Sequence, residues 1–370
     1  MSLKNIIFFY PSMERGGVTV NLNNLIDYFI KKRIQIDLIT NKNFYRKKKV
    51  SSFFKIHTFK EFKSFIFSSR VLRGFSAMHE LLKLLKTKDK NNTIIFSLQS
   101  SMLSILICRI KNFKVIARNS EDPISSVIYA ENKFFSFIVF CLRFVIYNLA
   151  DGILTNSKGS KSSLKYFLFN KNKVKHIYNP YLKEISNLSP VNKKNILLSV
   201  GRLCKQKNFK ELILTFNEFL KLYPTYKLII AGDGNEKKML IELIHELNIS
   251  KNVKILGWQY NTKKLFLNSK LFILPSLYEG LGNVFIDSIN YNVPAIGTYC
   301  RSGPSEILLN GKGGFLVPIK DSKKLLEKMI FAIENYDIAL KKTKYARRYL
   351  NRFHEINCLP LYLKYLKSFF

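Results

Sequence analysis

Two carboxylates flank a glycine-rich turn in the stretch "LPSLYEGLGNVFIDSIN". Glu279 stands beside Gly280 and Gly282, and Asp287 follows eight positions after Glu279. A helix beginning near Gly282 leaves the backbone amides from Gly280 to Asn283 free for an anion, because the first amides of a helix have no partner within it. The order carboxylate, phosphate site, carboxylate fits a sugar nucleotide, whose sugar and ribose both present hydroxyl groups. The alternative is a glutamate that caps a loop and an aspartate on a helix surface.

Two cations stand in "SVGRLCKQKNF", between a predicted strand and a predicted helix. Arg202 and Lys207 are five positions apart there. Such a pair can hold a diphosphate, and the planar fork of arginine suits phosphate oxygens. The alternative is two solvated charges, since 61 of the 370 residues are Lys or Arg.

A pair of glycines, Gly16 and Gly17, follows the first predicted strand and opens a helix. The free amides and the dipole of this helix start can face an anion. The pair is not the G-x-G-x-x-G fingerprint and has no acidic residue at the dinucleotide spacing, which disfavours NAD binding. A plain helix-start turn explains two glycines equally well.

The elements that position these residues alternate between short β-rich runs and longer helical patterns. Alternating βα units predict parallel sheets covered on both faces. We therefore predict an α/β chain with two doubly wound, Rossmann-like domains facing a cleft, joined by a polar linker at residues 178–195. Helices are predicted at residues 18–32, 209–222, 236–247 and 322–335. The predicted strands are residues 5–10, 34–40, 93–98, 113–118, 152–157, 174–178, 195–200, 226–232, 253–257, 271–275, 294–298 and 314–318.

The formal net charge of the chain is +36. Such a charge favours polyanionic partners, although a general bias towards Lys, Asn, Ile, Phe and Tyr accounts for much of it. The five cysteines form no CxxC pair, which indicates a reducing compartment without a zinc site. The first apolar run is too short for a signal peptide, and the apolar block at residues 134–150 is interrupted by Arg143. We read that block as a buried or surface-lying helix and expect a cytoplasmic or peripheral protein.

Basic residues and phenylalanines interleave at residues 45–75. The composition suits an anionic membrane surface on the cytoplasmic face of an inner membrane. An exposed loop followed by a core helix is the alternative. Nucleic acid is not an expected partner, because no RNP, KH or helix-turn-helix pattern accompanies the charge.

Five segments occur in an order and at a spacing that resemble a known family: "GRLCKQKNF", "LIIAGDGNEKKML", "VKILGW", "LPSLYEGLGNVFIDSINYNVPAIGT" and "GPSEILLNGKGGFLVP". Together they resemble the donor half of the family 4 retaining glycosyltransferases, which have the GT-B fold. In the first half, "GGVTVNLNNLIDYFIKKRIQIDLIT", "LADGILTNSKGSKSSL" and "IYNP" are similar to segments of the same family. The resemblance implies an acceptor-binding domain at residues 1–182, a nucleotide-sugar domain at 183–352, and a helix at 353–370 that packs back on the first domain.

The resemblance also implies roles for individual residues. Arg202 and Lys207 would contact the donor diphosphate, Glu279 the hydroxyls of the donor sugar, and Asp287 the ribose, where the family usually has glutamate. Arg118, in "ARNSEDPIS", occupies the place where many members have a histidine, and it is a further catalytic candidate. The remaining residues implied to line the donor site are Gly16, Gly17, Gly201, Gly257, Trp258, Gly280, Leu281, Gly282 and Asn283.

The activity that this resemblance implies is transfer of a hexose or N-acetylhexosamine from a UDP-sugar to a lipid-linked glycan, with retention, in polysaccharide or glycan assembly. No cofactor or metal is expected, because the leaving diphosphate can itself accept the acceptor's proton while the protein orients the reactants and stabilises charge. The alternatives are a UDP-sugar 2-epimerase of the same fold, which would need a histidine in the cleft, and a non-catalytic polyanion-binding protein.

Overall fold

Two parallel sheets with helices on their faces make up the chain. A computed structural model describes residues 2–14, 16–42, 51–60, 69–130, 132–187 and 193–370. The first sheet has seven strands in the order β3-β2-β1-β4-β5-β6-β7, and the second has six in the order β10-β9-β8-β11-β12-β13. In each domain the first strand lies near the centre of the sheet, and the strand order reverses beside it. The predicted pair of doubly wound domains is therefore confirmed.

The first domain contains seven strands and six helices within the described ranges. Its strands are β1 Asn5–Phe9, β2 Gln35–Thr40, β3 Phe54–Thr58, β4 Thr93–Ser97, β5 Lys114–Asn119, β6 Gly152–Thr155 and β7 Val174–His176. Its helices are α1 Gly17–Lys31, α2 Ser69–Leu85, α3 Ser101–Ile110, α4 Pro123–Ile128, α5 Lys133–Tyr147 and α6 Lys158–Lys165.

The second half of the chain supplies the remaining elements. Its strands are β8 Lys194–Val200, β9 Lys227–Ala231, β10 Val253–Ile255, β11 Ser269–Leu274, β12 Ala295–Thr298 and β13 Phe315–Val317. Its helices are α7 Phe209–Leu222, α8 Lys237–Glu246, α9 Lys263–Asn268, α10 Asn283–Asn290, α11 Pro304–Ile307, α12 Ser322–Glu334, α13 Tyr336–Arg347 and α14 Glu355–Lys367.

All twelve predicted strands are present. They could be predicted because strands that are buried on both faces have continuous apolar sequences. The side chains of β4 are buried throughout, and so are those of β1 from Ile6 to Phe9. The strand β3 was not predicted. Its polar residues mark an edge strand, and His57 on it forms a 2.7 Å hydrogen bond with buried Asp37 of the neighbouring strand.

The last helix, α14, packs on the first domain. Leu359, Tyr362 and Leu366 belong to the same buried cluster as the central strands of the first sheet. The ring centroids of Tyr362 and Phe96 lie 6.3 Å apart. The chain therefore crosses between the domains twice, once at the linker and once before α14.

The apolar block at residues 134–150 forms α5, which lies on the surface. No helix within the described ranges is both long and apolar enough to cross a bilayer. Residues 45–50 and 61–68 of the basic and aromatic segment lie outside the described residues, so its attachment to a membrane stays a prediction.

Candidate active site

The loops that follow the strands of the two sheets meet between the domains. Gly280 lies so close to the first domain that a Cβ added to it would stand 1.7 Å from the carbonyl oxygen of Ser120. A Cβ on Gly159 would stand 2.2 Å from the carbonyl oxygen of Arg301. Only glycine allows backbones to approach in this way. The two domains are therefore in direct contact at two points, one of them in the Glu279 turn.

Glu279 is buried and paired. Its carboxylate oxygen Oε1 forms an ion pair with the Lys207 ammonium and accepts a 2.7 Å hydrogen bond from the Ser276 hydroxyl. The carbonyl oxygen of Glu279 accepts a 2.6 Å bond from Ser302. The side chain of Gln206 donates to the carbonyl of Tyr278, at 2.9 Å, and so fixes the turn to the loop that carries Lys207. Two residues predicted to contact the sugar and the diphosphate thus touch each other.

The helix after this turn begins without a side-chain cap. Gly282 precedes α10 with φ of 80°, in the left-handed region that favours glycine. The backbone amides of Gly280, Leu281, Gly282 and Asn283 donate no hydrogen bond within the described part of the chain. The predicted free amides are therefore present, and together with the positive end of the helix dipole they are suited to an anion.

Arg202 lies on the exposed side of the same cleft. Its guanidinium is 3.7 Å from the carboxylate of Glu14, which belongs to the first domain. Gly17 follows Glu14 and opens α1, and a Cβ on it would stand 3.0 Å from the side-chain amide of Asn283. Gly16, with φ of 156°, precedes α1 without a side-chain cap. Gly17 and the start of α10 therefore lie side by side, while the predicted role of the glycine pair in binding the donor stays a prediction.

Asp287 lies on the second turn of α10, where the sequence predicts it. The hydroxyl of Tyr181 donates a 2.5 Å hydrogen bond to its Oδ2 atom. Burial raises the pKa of Asp287 to about 7, while the bond from Tyr181 acts in the opposite direction. Its carboxyl group therefore titrates near neutral pH.

Arg118 lies at the end of β5 and is almost completely buried. Its guanidinium donates to the side-chain oxygen of Asn179, and Asn179 donates a 3.1 Å hydrogen bond to Asn283. Its Nε and Nη1 atoms are buried without a hydrogen-bond partner in the described residues. Arg118 thus reaches the start of α10 through Asn179 rather than directly.

Gly201, Gly257 and Trp258 lie at the ends of β8 and β10. Gly232, between them, donates a 2.9 Å bond to the carbonyl of Gly257, and a Cβ on Gly232 would stand 1.8 Å from the carbonyl oxygen of Gly201. The three glycines form a side-chain-free row beside the Arg202 loop. The indole nitrogen of Trp258 is buried without a partner in the described residues.

Four supporting residues were not predicted from the sequence: Gln206, Ser276, Tyr181 and Asn179. Ser276 and Gln206 lie within a few residues of Glu279 and Lys207, so their proximity along the chain was a usable signal. Tyr181 and Asn179 contact α10 over more than a hundred residues, and no local pattern announces such contacts. In the described part of the chain, no three His, Cys, Asp or Glu residues cluster in a way that could hold a metal ion.

Ligands of open α/β sheets bind outside the carboxyl ends of the strands, and here two doubly wound domains bring cations, a carboxylate and an uncapped helix start together at those ends. The family described as "Glycosyl transferases group 1" matches residues 183–349. The chain is also 30% identical over 252 residues to the N-acetylgalactosamine-N,N'-diacetylbacillosaminyl-diphospho-undecaprenol 4-alpha-N-acetylgalactosaminyltransferase of Campylobacter jejuni. That alignment covers 67% of this chain and 68% of the relative. The chain belongs to the group 1 glycosyltransferases.

Two further likenesses bear on the family and the fold. An uncharacterised glycosyltransferase of Methanocaldococcus jannaschii is 36% identical over 210 residues, in an alignment covering 53% of this chain and 51% of that protein. The chain thus matches only about half the length of this relative. The crystal structure of Anabaena HepE in complex with UDP and glucose superposes with a TM-score of 0.79 at 17% identity, covering 99% of this chain and 100% of that one. The fold is GT-B.

Proposed function

We propose that this glycosyltransferase moves a hexose or an N-acetylhexosamine from a UDP-sugar to a lipid-linked glycan, with retention of the anomeric configuration. The observation that carries the donor is the contact of Lys207 with Glu279 beside the uncapped start of α10. A cation, a carboxylate and free amides at one point suit the junction between a diphosphate and a sugar.

The acceptor is proposed from the relatives. The Campylobacter jejuni enzyme is named for transfer to a glycan on diphospho-undecaprenol, and other relatives are named for amylovoran and lipopolysaccharide core biosynthesis. We therefore propose a role in cell-surface polysaccharide or glycan assembly. An enzyme with such an acceptor works at a membrane, and we propose a peripheral position on the cytoplasmic face of the inner membrane.

The proposed transfer takes place on one face of the donor sugar. The acceptor hydroxyl oxygen bonds to the anomeric carbon, the bond from that carbon to the diphosphate oxygen breaks, and the acceptor proton passes to the leaving diphosphate. Lys207 and Arg202 stabilise the negative charge that grows on the diphosphate. Glu279 orients the sugar through its hydroxyls, and Asp287 holds the ribose.

Titration of UDP against the full-length protein tests the donor site. We expect UDP to bind, Lys207→Ala to weaken binding by about tenfold to a hundredfold, and Lys205→Ala to leave it unchanged. Lys205 is the matched control because it is an exposed cation on the same turn. Absence of UDP binding with retained binding to DNA would contradict the proposal and favour a polyanion-binding protein.

Incubation with UDP-glucose, UDP-galactose and their N-acetyl forms tests the reaction. We expect release of UDP from one of them, a product whose anomeric configuration by NMR matches the donor, and unchanged turnover in EDTA. A UDP-sugar that is recovered intact but altered at its second carbon would identify the epimerase instead. Loss of turnover in EDTA, restored by a divalent cation, would contradict metal independence.

A further inference from the structure

The helix α5 turns an apolar face to solvent. Phe134 is 77% exposed and Val145 is 61% exposed. Residues spaced by three and four positions share one face of a helix. The residues of this face, which we call the α5 surface, are Phe134, Ile138, Leu142 and Val145, together with Leu149 in the turn that follows the helix. A helix on the surface of a globular protein normally presents charged residues there.

The opposite face of α5 already packs against the domain. The ring of Phe140 stacks edge-on against Phe167, with centroids 4.8 Å apart, and Phe144 contacts Phe169 at 5.7 Å. The helix is therefore apolar on both sides, which is expected of an element covered on both sides. Phe169, which contacts Phe144, is itself 84% exposed. A row of exposed apolar side chains along one helix face is typical of an interaction site.

The charged side chains of α5 and of the segment packed against it have one sign. No Asp or Glu occurs from Asn132 to Ala150. The neighbouring segment, residues 158–176, contains six lysines and no acidic residue, and it is the segment whose Phe167 and Phe169 contact α5. Apolar side chains bordered by lysines are complementary to a surface that combines acyl chains with anionic headgroups.

We infer that the α5 surface inserts into the interface of an anionic lipid bilayer. At about 1.5 Å per residue, a helix of this length is about 22 Å long, which is shorter than the roughly 30 Å core of a bilayer. It therefore lies along the membrane rather than across it. A second copy of the chain fits less well, because a two-fold interface would bring the lysine-rich borders of both copies together.

The helix α5 lies close to the cleft along the chain, so its docking on a membrane would also determine where the cleft lies. Tyr129 stacks on Tyr278 of the second domain, with centroids 6.2 Å apart, and Tyr278 immediately precedes Glu279. The helix begins four residues after Tyr129, within about 14 Å of chain. Docking through α5 therefore holds the cleft close to the bilayer, where a lipid-linked acceptor resides. This consequence rests on the proposed function, whereas the docking itself does not.

Vesicle flotation tests the inference with the full-length protein. We expect it to float with vesicles of phosphatidylcholine and phosphatidylglycerol and to float less with phosphatidylcholine alone or at high salt. Phe134→Glu combined with Val145→Glu is expected to lower binding by at least about tenfold, because each substitution removes an apolar side chain that the bilayer would bury. The control, Leu222→Glu with Ile356→Glu, changes residues of similar exposure on α7 and α14 and is expected to bind like the wild type.

A depth measurement supports the flotation and does not depend on the glutamate variants folding. In Phe134→Trp we expect fluorescence quenching by brominated lipid, and in Ile356→Trp we expect no quenching beyond that of the native tryptophan. Equal binding of the paired glutamate variant and the wild type would overturn the inference. So would failure of the wild type to bind anionic vesicles, or light scattering that shows a dimer which the glutamate variant separates. UDP affinity, measured on the same samples, tells these results apart from a failure of the proposed donor site.

Discussion

The hydroxyl of Tyr181 donates a 2.5 Å hydrogen bond to Oδ2 of Asp287. Tyr181 belongs to the segment that crosses between the domains, and Asp287 belongs to the helix that begins at the Glu279 turn. The carboxylate that we propose holds the ribose is therefore also bonded to a tyrosine hydroxyl. Because burial raises the pKa of Asp287 to about 7, the charge on this carboxylate changes within the physiological range.

Affinity for UDP is expected to fall as the pH drops below the pKa of Asp287. The ionised carboxylate accepts bonds from both ribose hydroxyls, whereas the protonated form accepts fewer, so binding weakens by up to about tenfold per pH unit. Calorimetric titration from about pH 8 to about pH 6 measures this around the pKa. Asp287→Asn lacks the carboxylate but keeps the titration of UDP itself, so the difference between the two curves reports Asp287. If the UDP affinities of the wild type and of Asp287→Asn changed with pH in the same way, the proposed contact of Asp287 with the ribose would be contradicted.

Tyr181→Phe supplies the companion measurement. The bond from the tyrosine hydroxyl lowers the pKa of Asp287, so removing it leaves burial unopposed. We expect the pH at which UDP affinity falls to move upward.

The length of the side chain at position 287 is tested by Asp287→Glu, which restores the residue usual in the family. Stronger UDP binding by this variant than by the wild type would show that the aspartate is too short to reach the ribose.

The ion pair of Lys207 with Glu279 is expected to matter for stability as well as for catalysis. Its side chains are 13% and 5% exposed, and an unpaired buried charge costs about 3–5 kcal/mol. Lys207→Ala should therefore lower the free energy of unfolding, and Glu279→Gln added to it should recover part of the loss. Denaturant unfolding of the single and double variants measures the coupling. Lys221→Ala, which breaks an exposed pair with Glu218, is the control and should cost less than about 1 kcal/mol. Additive losses in the double variant would contradict the pairing.

The sequence predicted most of the fold because buried parallel strands are continuous apolar runs that need no partner to be seen. Only β3 was missed. Its alternation is irregular, and it lies at the sheet edge, where it pairs with β2 and where His57 bonds to Asp37 of that strand. The sequence left open whether α5 is buried or lies on the surface, because an apolar segment has the same sequence pattern in both cases.

The candidate site was predictable where its residues lie close together in the chain. Glu279, Gly282 and Asp287 stand on one turn and one helix, and the structure places them as the spacing indicates. The contact of Glu279 with Lys207 was not predicted, although both residues were. The contacts between the domains could not be predicted from the sequence, because the packing of two complete sheets decides which loops meet.

Gly280 is expected to control the approach of the domains. A Cβ at this position would stand 1.7 Å from the backbone oxygen of Ser120, which cannot move aside as a flexible side chain can. Gly280→Ala should therefore keep the domains apart, with UDP affinity changed by only a few-fold and turnover reduced by about a hundredfold, since misplacement by about 1 Å has such an effect. Small-angle scattering should show a larger radius of gyration than that of the wild type. Normal turnover by this variant would mean that the contact with Ser120 is dispensable.

Arg118 is expected to act through Asn179 and Asn283 rather than on the donor itself. Its guanidinium bonds to Asn179, and Asn179 bonds to Asn283 at the start of α10. If these residues form one chain of contacts, the losses in kcat/KM from Arg118→Lys and Asn283→Ala are not additive, because the first substitution already releases the second residue. The measurement is a double-mutant cycle on kcat/KM for the donor, with thermal unfolding to show that each variant is folded. An arginine that touched the donor diphosphate directly would instead give additive losses, and its lysine variant would retain much of the activity.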